Sequence, residues 1–207
     1  MVTGNDKTPI TVAPEIQPAV VPERKRERAD PCTMIVFGAS GDLTRRKLFP
    51  ALYSLAAANL LDEGFAVLGV ARESMTDEEY RALMRSELLK SDGFKSLDER
   101  AWSWLASRTW YASADFVDPA TFPAIASKLA AVDGAPPGEA NHLFYLAIPP
   151  TTFPLVVQQL ERGPFGRSQA TGESWSRVIV EKPFGQDLQT ARALNNLVHS
   201  TFREDDV

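Results

Sequence analysis

Residues 33–53, TMIVFGASGDLTRRKLFPALY, constrain this chain more than any other stretch. An apolar run from Met34 to Phe37 breaks at Gly38, passes through Ala39-Ser40-Gly41-Asp42, and enters a helical pattern from Leu43 onward. Strand, glycine turn and helix in that order make a phosphate-binding device. The turn's N–H groups and the positive end of the helix dipole converge where an anion can replace their missing partners. Glycine lets the backbone approach a pyrophosphate that a Cβ would push away. A strict G-x-G-x-x-G starting at Gly38 needs glycine at 40 and 43, where Ser40 and Leu43 stand. On its own the motif therefore also fits an ordinary strand-to-helix turn tightened by glycine.

The rest of the chain repeats the alternation. The first helix is expected to run to about residue 61, with Pro50 either kinking it or marking its start. Further strands are expected at 65–71, 109–112, 142–148 and 178–180. Helices are expected at about 77–89, opened by the capping box Thr76-Asp77-Glu78-Glu79, then at 119–132, at 153–161, and after Asp187 as N-cap. Residues 92–108 give no clear pattern, and Trp102 and Trp104 read as packing residues. Residues 133–138 and 163–174 read as loops. Five short apolar strands separated by helices predict an α/β fold with a doubly wound parallel sheet, Rossmann-type, covered on both faces. Residues 1–31 carry five prolines and the charge run 23–28, and they bury too little to offset their ordering entropy. They read as a mostly disordered tail ahead of a single domain, residues 32–207.

In such a sheet the ligand lies beyond the carboxyl ends of the strands, where strand order reverses. Arg72 ends the second strand, where an acid binds the 2′-hydroxyl of a dinucleotide and an arginine suits a 2′-phosphate. Arg72 therefore favours NADP over NAD, with Arg45, Arg46 and Lys47 adding positive charge and Glu73 tempering the preference. Lys182, in Glu181-Lys182-Pro183-Phe184-Gly185, ends the fifth strand and can hold a substrate oxygen or phosphate; Pro183 is a candidate cis residue. Tyr145 is either core or a ligand contact, and Asp115, after the third strand, is a weak candidate for a cofactor contact. Hydride removal from a hydroxyl-bearing carbon needs a proton acceptor, most often histidine. The chain has two, His142 at the start of a strand and His199 on the last helix, and both read as structural.

Composition narrows the remaining classes. A net charge of −5 over 207 residues argues against a nucleic-acid surface. The one cysteine, Cys32, cannot form an internal disulfide, so a cytoplasmic location is expected. No apolar run approaches the roughly 18 residues of a membrane span.

Together these residues resemble the glucose-6-phosphate dehydrogenase family. Gly38-Ala39-Ser40-Gly41-Asp42-Leu43 with Arg46-Lys47-Leu48-Phe49-Pro50-Ala51-Leu52 is similar to its coenzyme fingerprint. Gly69-Val70-Ala71-Arg72, Phe144-Tyr145-Leu146-Ala147-Ile148-Pro149-Pro150 and Glu181-Lys182-Pro183-Phe184-Gly185 are similar to three further signatures, in the right order. The resemblance implies that Gly38, Ala39, Ser40, Gly41, Asp42, Leu43, Thr44, Arg45 and Arg72 hold NADP. It also implies that Tyr145 lies beside the coenzyme and that Lys182, before a cis proline, contacts both coenzyme and glucose 6-phosphate. The implied reaction oxidises the sugar's C1 to a lactone, the first step of the pentose phosphate pathway. The family's base histidine and second domain are expected beyond Val207. The chain alone is then expected to be inactive, with homo-oligomers formed by a full-length protein. The alternatives are an NADP-binding or regulatory module without turnover, and a sugar oxidoreductase of the glucose–fructose oxidoreductase type.

Overall fold

The structure, a computed structural model, describes residues 28–207 apart from 92, 119, 137, 164, 166–173 and 186. All five residues of β1 (Thr33–Phe37) are buried. A strand buried on both faces needs neighbours at both edges and helices above and below it. β1 lies at the centre of a five-stranded sheet with β2 (Ala66–Ala71), β3 (Thr109–Ser113), β4 (His142–Leu146) and β5 (Ser176–Val180). The order is β3-β2-β1-β4-β5 and every pairing is parallel. The chain returns across β1 between β3 and β4, so strand order reverses at the β1–β4 pair.

The period of two along each strand feeds two cores. Met34 and Val36 face a layer of α1 (Phe49–Ala57), α2 (Asp77–Lys90) and α3 (Glu99–Ala106), filled by Phe49, Tyr80, Met84 and Leu105. Ile35 and Phe37 face α4 (Thr121–Asp133), α5 (Phe153–Arg162) and α6 (Leu188–Thr201), filled by Ile125, Leu129, Val156 and Val198. The doubly wound expectation holds. Among the described residues no helix is long and apolar enough to cross a membrane.

Several boundaries differ from the sequence reading. The first helix stops at Ala57 rather than near residue 61, because Asn59 turns left-handed at φ 54° and Leu60 N–H closes back on the Leu55 carbonyl. Asparagine tolerates that conformation where most residues do not. Pro50 stands at the start of α1, just after a wide turn over Thr44–Leu48 in which Phe49 N–H reaches the Thr44 carbonyl. The helical run is already under way before Pro50, Leu43 and Leu48 having right-handed helical dihedrals, so its missing N–H falls just after the widened turn, where five-residue spacing replaces the ordinary ladder. β4 ends at Leu146 instead of residue 148. α3 forms inside the stretch left unassigned, capped by the Asp98 carboxylate, with Trp102 buried and Trp104 donating to Glu63. α2 and α6 start as expected, each with a reciprocal capping box, Thr76–Glu79 and Asp187–Thr190.

Most of the expected tail (1–27), Pro119 at the expected start of α4, and most of the 163–174 loop lie outside the described residues. Of the tail, Arg28 donates to Asn59 at 2.8 Å and the Pro31 carbonyl accepts from Asn141 at 3.0 Å.

Candidate functional site

Gly38 leaves β1 at φ +87°, a conformation strained for any residue with a Cβ. A Cβ there would also stand 2.1 Å from the Ala147 carbonyl oxygen, so the turn lies directly against the end of β4. Gly38 and Ala39 both donate to the Val70 carbonyl, at 2.8 and 3.2 Å, carrying the β1–β2 ladder into the turn. The Gly38 carbonyl then accepts from Gly41 N–H at 2.9 Å and from the buried Thr44 hydroxyl at 3.0 Å. The buried Tyr80 hydroxyl donates to the Ala39 carbonyl at 3.3 Å. The turn is fixed from below on every side, which leaves its upper surface for a ligand.

That surface borders a cleft of about 390 Å³, within the roughly 300–1,000 Å³ usual for small-molecule sites. It brings together Gly38, Ser40, Gly41, Arg72 and Asp115, all at carboxyl ends of strands or in the turns that follow them. Arg72 is exposed, and among the described residues its guanidinium enters no salt bridge. Asp115 uses its Oδ1 to accept from Val117 N–H at 3.2 Å, closing the turn after β3. Five lining residues had no place in the sequence reading of the site: Phe116 and Val117, and Thr151, Thr152 and Leu155, which follow the Ile148-Pro149-Pro150 segment. The two threonines lie in the short helical turn Pro150–Thr152 that follows the Pro149-Pro150 stop beyond β4, and that stop is the one signal near them.

The cleft also contains Glu73. Its carboxylate accepts from the Ser40 hydroxyl at 2.5 Å, and its backbone carbonyl accepts from the Tyr111 hydroxyl at 2.6 Å. The Ser40 bond, its own backbone N–H, and the nearby Arg72 and Arg45 charges hold its carboxyl below the usual carboxylate range. Glu73 is therefore an anion facing the same opening as Arg72.

Other candidates lie off the cleft. Ala39 is buried beneath it, while Asp42 and Leu43 are exposed beside it. Arg45 and Arg46 do not supply free positive charge, because both pair with Asp42 at 3.2 and 3.3 Å and Arg45 also lies 3.9 Å from Glu87. Tyr145 is half-buried and donates to Glu181, joining the tips of β4 and β5. Burial, then the Glu181 contact, pushes its pKa up to about 12, so it stays a neutral donor. Lys182 is exposed at the end of β5, and the Lys182–Pro183 peptide is cis. His142 is fully buried at the amino end of β4, its Nε2 2.8 Å from Asp133 Oδ2, while the Thr33 hydroxyl donates to Asp133 Oδ1 at 2.5 Å. His199 lies on the last turn of α6. Neither histidine lines the cleft.

The donor set fits a phosphate-bearing dinucleotide. A glycine turn admits close approach, a guanidinium stands one strand away, and the whole lies at the switch in strand order.

Comparison with known proteins gives the same picture. A family described as glucose-6-phosphate dehydrogenase, NAD binding domain, matches residues 35–207. The chain is 39% identical over 178 residues to a glucose-6-phosphate 1-dehydrogenase of Chlamydia muridarum, covering 86% of this chain and 35% of the relative. Among solved structures it is similar to glucose-6-phosphate 1-dehydrogenase from Mycobacterium avium, with a TM-score of 0.72 and 30% identity over 84% of this chain and 35% of that one. A glucose-6-phosphate dehydrogenase in complex with its substrate glucose-6-phosphate gives a TM-score of 0.72 and 30% identity over 87% of this chain and 36% of that one. The chain spans about a third of the length of the curated relatives it matches.

Proposed function

Since the chain belongs to the glucose-6-phosphate dehydrogenase family and matches its NAD binding domain, we propose that it is the coenzyme-binding part of an enzyme that oxidises glucose 6-phosphate at C1 with NADP. The observation that carries this reading is the placement of Gly38 and Arg72 on one cleft at the switch in strand order. Bound there, the nicotinamide dinucleotide supplies the hydride acceptor. Gly38 and Gly41 admit its pyrophosphate against the backbone. Arg72, always charged and forked, meets the 2′-phosphate with paired donors. Lys182, at the end of β5, positions the sugar phosphate. Residues 32–207 form the unit that does this.

The relatives' names and the substrate-bound neighbour support glucose 6-phosphate as the substrate class. Neither histidine of this chain can take the C1 hydroxyl proton, one being buried against Asp133 and the other on the last turn of α6. The chain contributes the coenzyme half of the site.

Isothermal titration of the chain with NADP and with NAD tests the proposal. NADP is expected to bind, and more tightly than NAD. Absence of binding by either coenzyme, or tighter binding of NAD, would overturn it.

A further inference from the structure

We propose that Glu73 is a specificity-determining residue that keeps the coenzyme site open to NAD, working against Arg72 from the same strand tip. The inference rests on the coenzyme reading above and adds a second reader of the ribose 2′ position. Two consecutive residues, Arg72 and Glu73, follow β2, and both line the cleft. At this position an arginine answers a 2′-phosphate and an acid answers a 2′-hydroxyl, so the chain carries both answers side by side.

Glu73 is not a loose surface acid. Its backbone carbonyl is held by the hydroxyl of the buried Tyr111 and its carboxylate by the hydroxyl of Ser40 in the glycine turn. The side chain thus bridges from the tip of β2 to the turn after β1. This bridge has two consequences. The Ser40 proton is already committed to a carboxylate, so it is not offered to an incoming phosphate. A dianionic 2′-phosphate approaching Arg72 meets a fixed negative charge, which a neutral 2′-hydroxyl does not; the hydroxyl can instead donate to the carboxylate. Arg72 still makes NADP the better ligand, and Glu73 narrows the margin.

Glu73→Gln removes the charge and keeps an oxygen able to accept from Ser40, so the bridge and its shape survive. The side chain is exposed, so the substitution is expected to leave the fold intact. Titration calorimetry of the full chain and of this variant, each with NADP and NAD at low ionic strength, reads the ratio of the two affinities. The variant is expected to raise the NADP-to-NAD affinity ratio by roughly 3- to 10-fold, the scale of one partly screened like-charge contact removed. A rise of less than threefold, or any fall, would overturn the role of Glu73. If the unsubstituted chain binds both coenzymes in that experiment, NADP more tightly, the coenzyme reading survives such a failure. If it binds neither, the reading and this inference fall together.

Discussion

Arg72 is exposed with its guanidinium outside any salt bridge among the described residues, whereas the Asp133 side chain is buried and has both carboxylate oxygens engaged. Substitution therefore tests the two in different ways. Arg72→Ala removes charge-assisted donors each worth about 1.5–3 kcal/mol, so NADP affinity is expected to fall about 10- to 100-fold while NAD affinity changes by less than about threefold. Calorimetric titration checks this, and equal losses for the two coenzymes would take Arg72 away from the 2′-phosphate. Asp133→Ala strips the acceptor from the Thr33 hydroxyl and from His142, at a cost of about 1–3 kcal/mol for each buried group so orphaned. A lowered urea midpoint is expected, with coenzyme affinity of the folded variant unchanged, because this network lies at the opposite end of β1 from the cleft.

Among elements, the two helices with reciprocal capping boxes carry separate predictions. In α2, Thr76 Oγ1 accepts from Glu79 N–H at 3.1 Å and Glu79 accepts from Thr76 N–H at 2.7 Å. Thr76→Ala is expected to lower stability by about 1 kcal/mol, read from the urea midpoint. In α6 the Asp187 carboxylate accepts from the Thr190 N–H and hydroxyl at 2.8 and 2.9 Å, which holds its pKa below the ordinary 3.8. A folded-state pKa below the unfolded value stabilises above the unfolded value and loses that stabilisation as pH falls through the folded one. The stability gap between the parent chain and Asp187→Ala is therefore expected to be full at pH 5 and to shrink below about pH 4. A gap that does not narrow in acid would show that the cap acts without its charge. These caps were legible because Ser, Thr or Asp followed three residues later by a reciprocating side chain is a local pattern. The strands were legible for a similar reason: a buried parallel strand is a short apolar run. The early end of α1 was not, because nothing before Asn59 marks a left-handed residue. Gly38 and Arg72 could be placed from the rule that ligands gather at carboxyl ends of strands. The Ser40–Glu73 bridge could not, because it depends on the register Phe37↔Val70, which sets the tips of β1 and β2 level. Arg45 looked like free charge in the sequence, although Asp42 three residues before it is a helical neighbour that the spacing does show; its approach to Glu87 at 3.9 Å is a contact through space that spacing alone does not reveal.

For the whole molecule, the layout sets both histidines apart from the cleft. His142 is sealed at the amino end of the sheet, and the cleft at the carboxyl end has no histidine. The purified chain is expected to bind coenzyme and to give no glucose-6-phosphate-dependent NADPH formation above a no-protein control, measured by absorbance. Measurable turnover would mean that some other group in this chain takes the proton.

The pairing of β1 with β4 matches Thr33 to His142 and Phe37 to Leu146. On a ribosome, the central strand would emerge with one flank open and wait for a partner encoded roughly a hundred residues later. At about 5–20 residues per second, that is a delay of about 5–20 s during which one edge of a largely apolar strand is available to other nascent chains. The hydrophobic centre that makes the finished sheet sound is, while the protein is being made, an edge left open to wrong partners.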